Sequence, residues 1–140
     1  MLLLLIVGCS GDKDAAVEDS GEETDTQADD SGTPAAAPIV QGINFTSCAP
    51  NTDDIDTWSV SVDVDDPQGD VASTGSSVSV MDGETTLATY LLACSPDTCS
   101  GGWTATTDGI GCDAGRAAMF RFVIVDDFGN ASAPFDYQPV

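Results

Sequence analysis

Short segments of alternating side chains, separated by turn-forming residues, limit the fold of this chain more than any other feature. From Pro38 onwards, β-branched and aromatic residues recur at every second position in one short run after another. Dipeptides such as Asp-Pro, Asp-Gly and Gly-Asn stand between the runs and are typical of tight turns. No run keeps the 3.6-residue period of a helix. Strands are predicted at residues 39–46, 57–65, 71–81, 85–93, 102–107, 116–125 and 131–138.

The same alternation predicts which side chains face a core, because successive side chains of a strand point to opposite faces of the sheet. The residues predicted to face inward are Trp58, Val60, Val62 and Val64 in the second strand and Phe120, Phe122 and Ile124 in the sixth. We interpret Trp58 as a central packing residue in preference to a platform for a ligand. Consecutive short strands joined by tight turns predict an all-β fold, an antiparallel β-sandwich of about seven strands.

Two local patterns resemble the immunoglobulin-like and fibronectin type III-like modules of bacterial extracellular proteins. They are VDVDDPQGD at residues 62–70 and FVIVDDFGN at residues 122–130, each a strand that runs into an Asp-Pro-x-Gly or Asp-x-x-Gly-Asn turn. The resemblance implies an immunoglobulin-like form of the β-sandwich for residues 38–140. The Cys–Trp–Cys core of antibody domains is absent, because neither the second nor the sixth predicted strand contains a cysteine.

The start of the chain carries a second resemblance. Residues 6–9, Ile-Val-Gly-Cys, resemble the lipobox of bacterial lipoproteins. This resemblance implies cleavage before Cys9 and several acyl chains on it, since a single chain holds a membrane only reversibly. Residues 1–8 would be the end of a signal peptide whose true start codon lies upstream, because the apolar run is short and lacks a Lys or Arg before it. A small apolar strand with a free cysteine is the alternative.

Acidic residues dominate both parts of the chain. Residues 10–37 hold nine acidic residues, one Lys and no aromatic residue, which gives a net charge of −8 and predicts a disordered, lipid-anchored linker over residues 9–37. We interpret this linker as a solvated spacer in preference to a specific interaction tail. The predicted domain, residues 38–140, holds fifteen acidic residues and two Arg, a net charge of −13. Such a surface repels nucleic acid and anionic lipid headgroups.

The cysteines predict two disulfides. Cys9 apart, the chain has four cysteines, and an even number in an exported protein indicates disulfides with three possible pairings. Because successive connections of a sandwich alternate between its two ends, Cys48 and Cys112 are expected at one end, in the first and fifth connections. Cys94 and Cys99 would flank the fourth connection at the other end. This arrangement favours the pairing Cys48–Cys112 and Cys94–Cys99. A four-thiolate zinc site is the alternative, which is disfavoured because such sites usually contain C-x₂-C pairs and because the expected compartment is oxidising.

The residue inventory excludes most catalytic devices. The chain has no His and only three Lys or Arg residues, so His-dependent catalysis and phosphate or nucleic-acid cradles are excluded. Carboxylate pairs remain, as in glycosidases, but 24 acidic residues make chance pairs inevitable. A non-catalytic protein is therefore favoured, and a small carboxylate-dependent glycan-processing enzyme is the alternative. A carbohydrate-binding module is another, with Trp103 as a candidate stacking residue, although packing in the core or at an edge is the favoured interpretation of Trp103.

Aspartates in alternate connections suggest a calcium site. The second and sixth connections should meet at one end of the sandwich, and calcium prefers carboxylate, amide and carbonyl oxygens. The candidate ligands are Asp65, Asp66, Asp70, Asp126, Asp127 and Asn130. The simpler interpretation is that these residues form turns by accepting hydrogen bonds from their own backbone. A weaker cluster in the first connection, interpreted as a solvated loop, comprises Asp53, Asp54 and Asp56.

Taken together, the sequence predicts a non-catalytic cell-envelope lipoprotein that displays a binding or structural module on an acidic tether. The expected location is extracytoplasmic, with the outer membrane or cell surface favoured over the inner membrane. The expected partners are the membrane, through the lipid on Cys9, and an envelope protein or glycan. The ligand and the oligomeric state stay open.

Overall fold

Residues 36–140, the part of the chain that the structure describes, form eight strands and one short helix in a computed structural model. The strands in the first half are β1 (Ile39–Pro50), β2 (Asp56–Asp65), β3 (Ser77–Asp82) and β4 (Thr85–Leu91). They are followed by β5 (Ala93–Ser95), β6 (Thr98–Thr104), the helix α1 (Cys112–Ala117), β7 (Met119–Val123) and β8 (Phe135–Tyr137). The Cys9 anchor and the acidic linker up to residue 35 lie outside the described residues.

The strands build two antiparallel sheets that pack face to face. One sheet has the order β1-β2-β6-β5 and the other the order β4-β3-β7-β8. The chain passes from the second sheet to the first at Leu92, which lies between β4 and β5 and is buried. The all-β sandwich predicted from the sequence is therefore confirmed.

The core lies between the inward faces of β2 and β7, as the alternation predicts. On β2 the side chains Trp58, Val60, Val62 and Val64 are all buried. From β7 onwards, Phe120, Phe122 and Ile124 are fully buried. The ring of Phe120 meets the rings of Trp58 and Trp103 edge-on, at centroid distances of 5.1 and 5.4 Å. Period-two alternation succeeds here because each sheet buries one face only.

The helix α1 was not predicted and replaces the start of a predicted strand. It closes one end of the sandwich, where Gly115 packs against the indole of Trp58. The Trp58 Nε1–H donates to the carbonyl oxygen of Gly111 at 3.2 Å. A six-residue helix spans less than two turns, so it shows no sustained period in the sequence.

Other strand boundaries also differ from the prediction. The segment predicted as a strand at 71–81 is extended only from Ser77, because Val71 and Ala72 instead contact the loop after β7. Val71 forms an isolated bridge with Asp126, and the Ala72 N–H donates to the carbonyl of Val125 at 3.0 Å. Val71 and Ala72 are apolar because they are buried, although they do not belong to a strand.

Both disulfides have the pairing that the sequence favours. Cys48 is joined to Cys112, across 64 positions of sequence, and Cys94 is joined to Cys99, across 5 positions. The prediction that Cys48 lies in the first connection is wrong, because Cys48 is in β1. Cys94 and Cys99 flank the turn between β5 and β6, as predicted, and are paired directly across these two strands. All four thiols of the domain are therefore taken by disulfides and leave no thiolate set for zinc.

Candidate functional site

Two loops of the same design stand side by side at one end of the sandwich. We call residues 66–70 (Asp-Pro-Gln-Gly-Asp) the first aspartate loop and residues 126–130 (Asp-Asp-Phe-Gly-Asn) the second. Each follows directly on a core strand segment, and each opens with an aspartate whose side chain accepts from backbone N–H groups further along its own loop. A glycine with positive φ occupies the fourth position of both, Gly69 at 70° and Gly129 at 85°. These are conformations that other residues rarely adopt.

The second aspartate loop is held by Asp126, whose side chain is buried at 2% exposure. Its Oδ1 accepts from the backbone N–H of Phe128 at 2.9 Å and of Asn130 at 2.7 Å. Its Oδ2 accepts from the Asn130 side-chain amide at 2.7 Å. Burial disfavours the charged carboxylate, but the hydrogen bonds from Asn130, Phe128 and Gly129 outweigh it and lower the pKa of Asp126.

The first aspartate loop repeats this arrangement with one difference. The Asp66 carboxylate accepts from the backbone N–H of Gln68 at 3.1 Å and of Asp70 at 3.0 Å. The position of Asn130 is occupied by Asp70, which brings a second carboxyl group where the second loop has an amide donor. Burial and the neighbouring carboxyl of Asp66 raise the pKa of Asp70, and the charge of Asp126 adds to this. The Asp70 Oδ1 is buried and has no hydrogen-bond partner among the described residues.

Backbone contacts bring the two loops together. The Asp127 N–H donates to the carbonyl oxygen of Asp70 at 2.9 Å. The turn between β5 and β6 lies at the same end, since the Val64 N–H donates to the carbonyl of Asp97 at 2.9 Å. The second, fourth and sixth predicted connections therefore meet at one end, as expected from the alternation of connections.

The predicted calcium ligands are only partly brought together. Asp66, Asp70, Asp126 and Asn130 are neighbours, whereas the Asp65 carboxylate faces β1 and accepts from the Gln41 amide at 3.5 Å. The side chain of Asp127 is exposed. Within residues 36–140, no three Asp, Glu, Cys or His side chains are arranged to hold a metal ion. The aspartates act as turn formers, and calcium binding stays a prediction.

The exposed aromatic ring of Phe128 is the functional candidate that the sequence analysis missed. Phe128 is the third residue of the second aspartate loop and is 75% exposed, while the equivalent residue of the first loop is the polar Gln68. The sequence did contain a signal for this residue: a large apolar side chain stands in a turn, at the position that Gln68 occupies in the first loop. The hydrogen bonds to Asp126 hold the backbone on both sides of this ring.

The structure confirms the packing interpretation of Trp103 and corrects the interpretation of Asp56. Trp103 is 7% exposed and lies between the rings of Tyr90 and Trp58, at centroid distances of 4.2 and 5.9 Å. It is a core residue and offers no open surface on which a sugar could stack. In the cluster at 53–56, Asp56 is not a solvated loop residue, because its Oδ2 accepts from the backbone N–H of Cys112 at 2.8 Å.

Comparisons of the chain with protein-family models, with curated proteins and with solved structures found no match. By its fold, the described part of the chain is a β-sandwich domain of two antiparallel sheets with two disulfides. Two disulfides in so small a domain indicate an oxidising, extracytoplasmic compartment. Among residues 36–140, no helix is long and apolar enough to cross a membrane.

Proposed function

We propose that this chain is a non-catalytic cell-envelope lipoprotein, anchored by acyl chains on Cys9, which displays an immunoglobulin-like binding module on an acidic tether. The resemblance of residues 6–9 to a lipobox and the disulfides of the domain both support an exported protein. The linker, with a net charge of −8 over residues 10–37, favours an extended chain that keeps the domain away from anionic headgroups.

The second aspartate loop is the proposed contact surface for an envelope protein. The observation that carries this proposal is the 75% exposure of Phe128 on a loop fixed by a buried carboxylate. A loop whose backbone is held in place before binding loses little conformational entropy on binding, and aromatic side chains often dominate interface energies. Loops on a rigid sandwich are the usual position for such contacts.

The lipid anchor is tested by Cys9→Ser in the gene with its natural start. We expect the variant to leave the membrane fraction and to lose labelling by a palmitate analogue, while the wild-type chain keeps both. Ser10→Ala, a change beside the proposed acylation site, is the matched control and should behave as the wild type. A Cys9→Ser variant that still sediments with membranes and still takes the label would refute the anchor.

The contact surface is tested by comparing two exposed phenylalanines. Phe45, on β1, is 51% exposed and lies outside both aspartate loops, so Phe45→Ser controls for loss of an exposed aromatic ring. We expect immobilised Phe128→Ser protein to retain at least tenfold less of a specific envelope protein than the wild type, about 1.4 kcal/mol of binding free energy. Phe45→Ser should retain the wild-type amount. Equal retention by Phe128→Ser and wild type would exclude this loop as the contact surface.

A further inference from the structure

The outer strands of the two sheets differ in how they are protected from pairing with another chain. The sheet orders place β1, β5, β4 and β8 at the edges. Strands β5 and β8 have three residues each; β5 is tied to β6 by a disulfide, and β8 lies between two prolines. Strand β1 has two register shifts in its pairing with β2. It is preceded by Pro38 and ends at Pro50. Short length, prolines and bulges are the usual means of protecting a sheet edge.

Strand β4 is the least protected of these edges. Its seven residues, TTLATYL, include no charge, no Pro and no Gly, and its pairing with β3 contains one register shift. The side chain of Leu87 is 49% exposed on this strand. An uncharged and partly apolar edge of this kind is a template for an added strand.

The backbone of β4 offers free hydrogen-bonding groups on the side away from β3. The Leu92 N–H donates to the carbonyl of Ser76 at 2.9 Å, so alternation turns the backbone groups of Tyr90 and Ala88 to β3 and those of Thr89 outward. The far end of the strand is less open, since a Cβ on Gly101 of β6 would be 3.0 Å from the Leu91 carbonyl oxygen. The part of the edge away from Leu91 is residues 85–89, and the pairing with β3 shifts register within it, opposite Val80 and Met81.

A groove adjoins the open end of this edge. It has a volume of about 170 Å³ and is lined by Leu87, by Ala114 and Ala117 of α1 and Ala118 directly after the helix, and by the exposed carboxylate of Asp82. An apolar lining with one carboxylate at its rim fits a side chain with an alkyl stem and a cationic end. Lysine has this form.

Charge decides between the possible occupants of the edge. The two Arg of the domain are each paired with an aspartate, Arg116 with Asp113 and Arg121 with Asp136. A second copy would bring another domain with fifteen acidic residues against the first, at a net charge of −13 each. A basic segment is attracted by the same field. Asp82 is the last residue of β3, and Glu84 lies in the connection that leads into β4.

We propose that the β4 edge and its groove are a docking surface for an extended basic segment of a partner protein. The segment adds as a strand along residues 85–89 and places a lysine side chain in the groove, with its ammonium group at Asp82. This surface is separate from the two aspartate loops, so it stands or falls independently of the contact proposed for Phe128.

The test uses the full-length chain, labelled with ¹⁵N, and a blocked peptide of alternating lysine and valine, with a matched glutamate–valine peptide as the control. We expect the lysine peptide to shift the amide signals of residues 85–89 and of the groove, less strongly as salt increases. The glutamate peptide should shift none. Equal shifts with both peptides, shifts confined to β1 or the aspartate loops, or none up to millimolar peptide would each overturn the proposal.

Two pairs of variants separate the strand contact from the groove contact. Thr89→Pro removes an outward N–H and should abolish the shifts, whereas Thr89→Val should keep them. Asp82→Asn should weaken peptide binding about two- to fivefold, while Asp97→Asn, an exposed aspartate at the other end of the domain, should not. If Thr89→Pro does not fold, the comparison of Asp82→Asn with Asp97→Asn is the deciding test. Equal weakening by Asp82→Asn and Asp97→Asn, or a dimer that uses β4 without peptide, would contradict a basic partner.

Discussion

A single buried carboxylate, that of Asp126, determines the shape of the second aspartate loop. We expect Asp126→Ala to lower the Tm and to broaden the amide signals of residues 127–130, because three N–H donors lose their acceptor. Asp127→Ala removes the exposed carboxylate next to it and should leave the Tm nearly unchanged. Thermal unfolding of both variants by circular dichroism is the measurement. An equal effect of the two changes would show that Asp126 does not hold the loop.

The two loops respond to pH in opposite directions. Because the pKa of Asp126 is lowered, its contribution to stability is complete above the ordinary value of 3.8 and is lost as the pH falls through the lowered pKa of the folded state. Because the pKa of Asp70 is raised, its protonated form is favoured by folding. Its contribution is complete below 3.8 and is lost as the pH rises through the raised pKa.

Replacing Asp70 by asparagine should therefore stabilise the domain at neutral pH. Asp70→Asn gives the first loop the residue of the second at the same position, where it removes the repulsion between Asp70 and Asp66. We expect a higher Tm at pH 7 and no gain well below pH 3.8, where the wild-type carboxyl is already protonated. The measurement is the Tm as a function of pH. A lower Tm for Asp70→Asn only in about 1 mM calcium, and not in magnesium, would instead support the predicted calcium site.

At the scale of strands and helices, the sequence predicts faces better than ends. The inward faces of β2 and β7 follow from alternation, because apolar residues at every second position indicate a strand with one face buried. The ends of strands depend on contacts with other segments. Val71, for example, is buried next to the segment of Asp126, with which it forms an isolated bridge, and it does not belong to a strand. The helix α1 depends on a tertiary contact with Trp58, and a local pattern does not reveal it.

The contact between α1 and β2 requires a glycine at position 115. A Cβ on Gly115 would stand 2.4 Å from the Trp58 ring, so Gly115→Ala must displace the helix or the indole. We expect a loss of about 1–3 kcal/mol of unfolding free energy, even though alanine favours helices by about 1 kcal/mol. Gly42→Ala, which meets nothing within 4 Å, is the control and should cost less. Urea unfolding measures both, and an equal loss would contradict the close packing.

At the scale of the whole molecule, the two disulfides should stabilise the domain to different extents. Cys48–Cys112 closes a loop across 64 positions and Cys94–Cys99 one across 5. Loop-closure entropy predicts about 4 kcal/mol for the long bridge and about 2 kcal/mol for the short one. Double Cys→Ser variants of each pair, compared by urea unfolding, give the measurement. A larger loss from the short bridge would show that chain entropy does not control the difference.

The candidate site was predictable in part. The convergence of the second and sixth connections and the turn-forming aspartates follow from the residue pattern and the alternation of ends. The position of Phe128 in a turn indicates exposure but does not establish it, because an aromatic ring at that position could also fold back over the core. The edge status of β4 also depends on the order of strands in the sheet, which local patterning does not encode.

We propose that the second aspartate loop is the surface through which the domain contacts its partner. A photo-crosslinking amino acid at position 128, in cells that express the full-length chain, tests this directly, with the same amino acid at position 45 as the control. We expect a discrete cross-linked partner protein from position 128 and none from position 45. The same products from both positions, or products from position 45 alone, would contradict it.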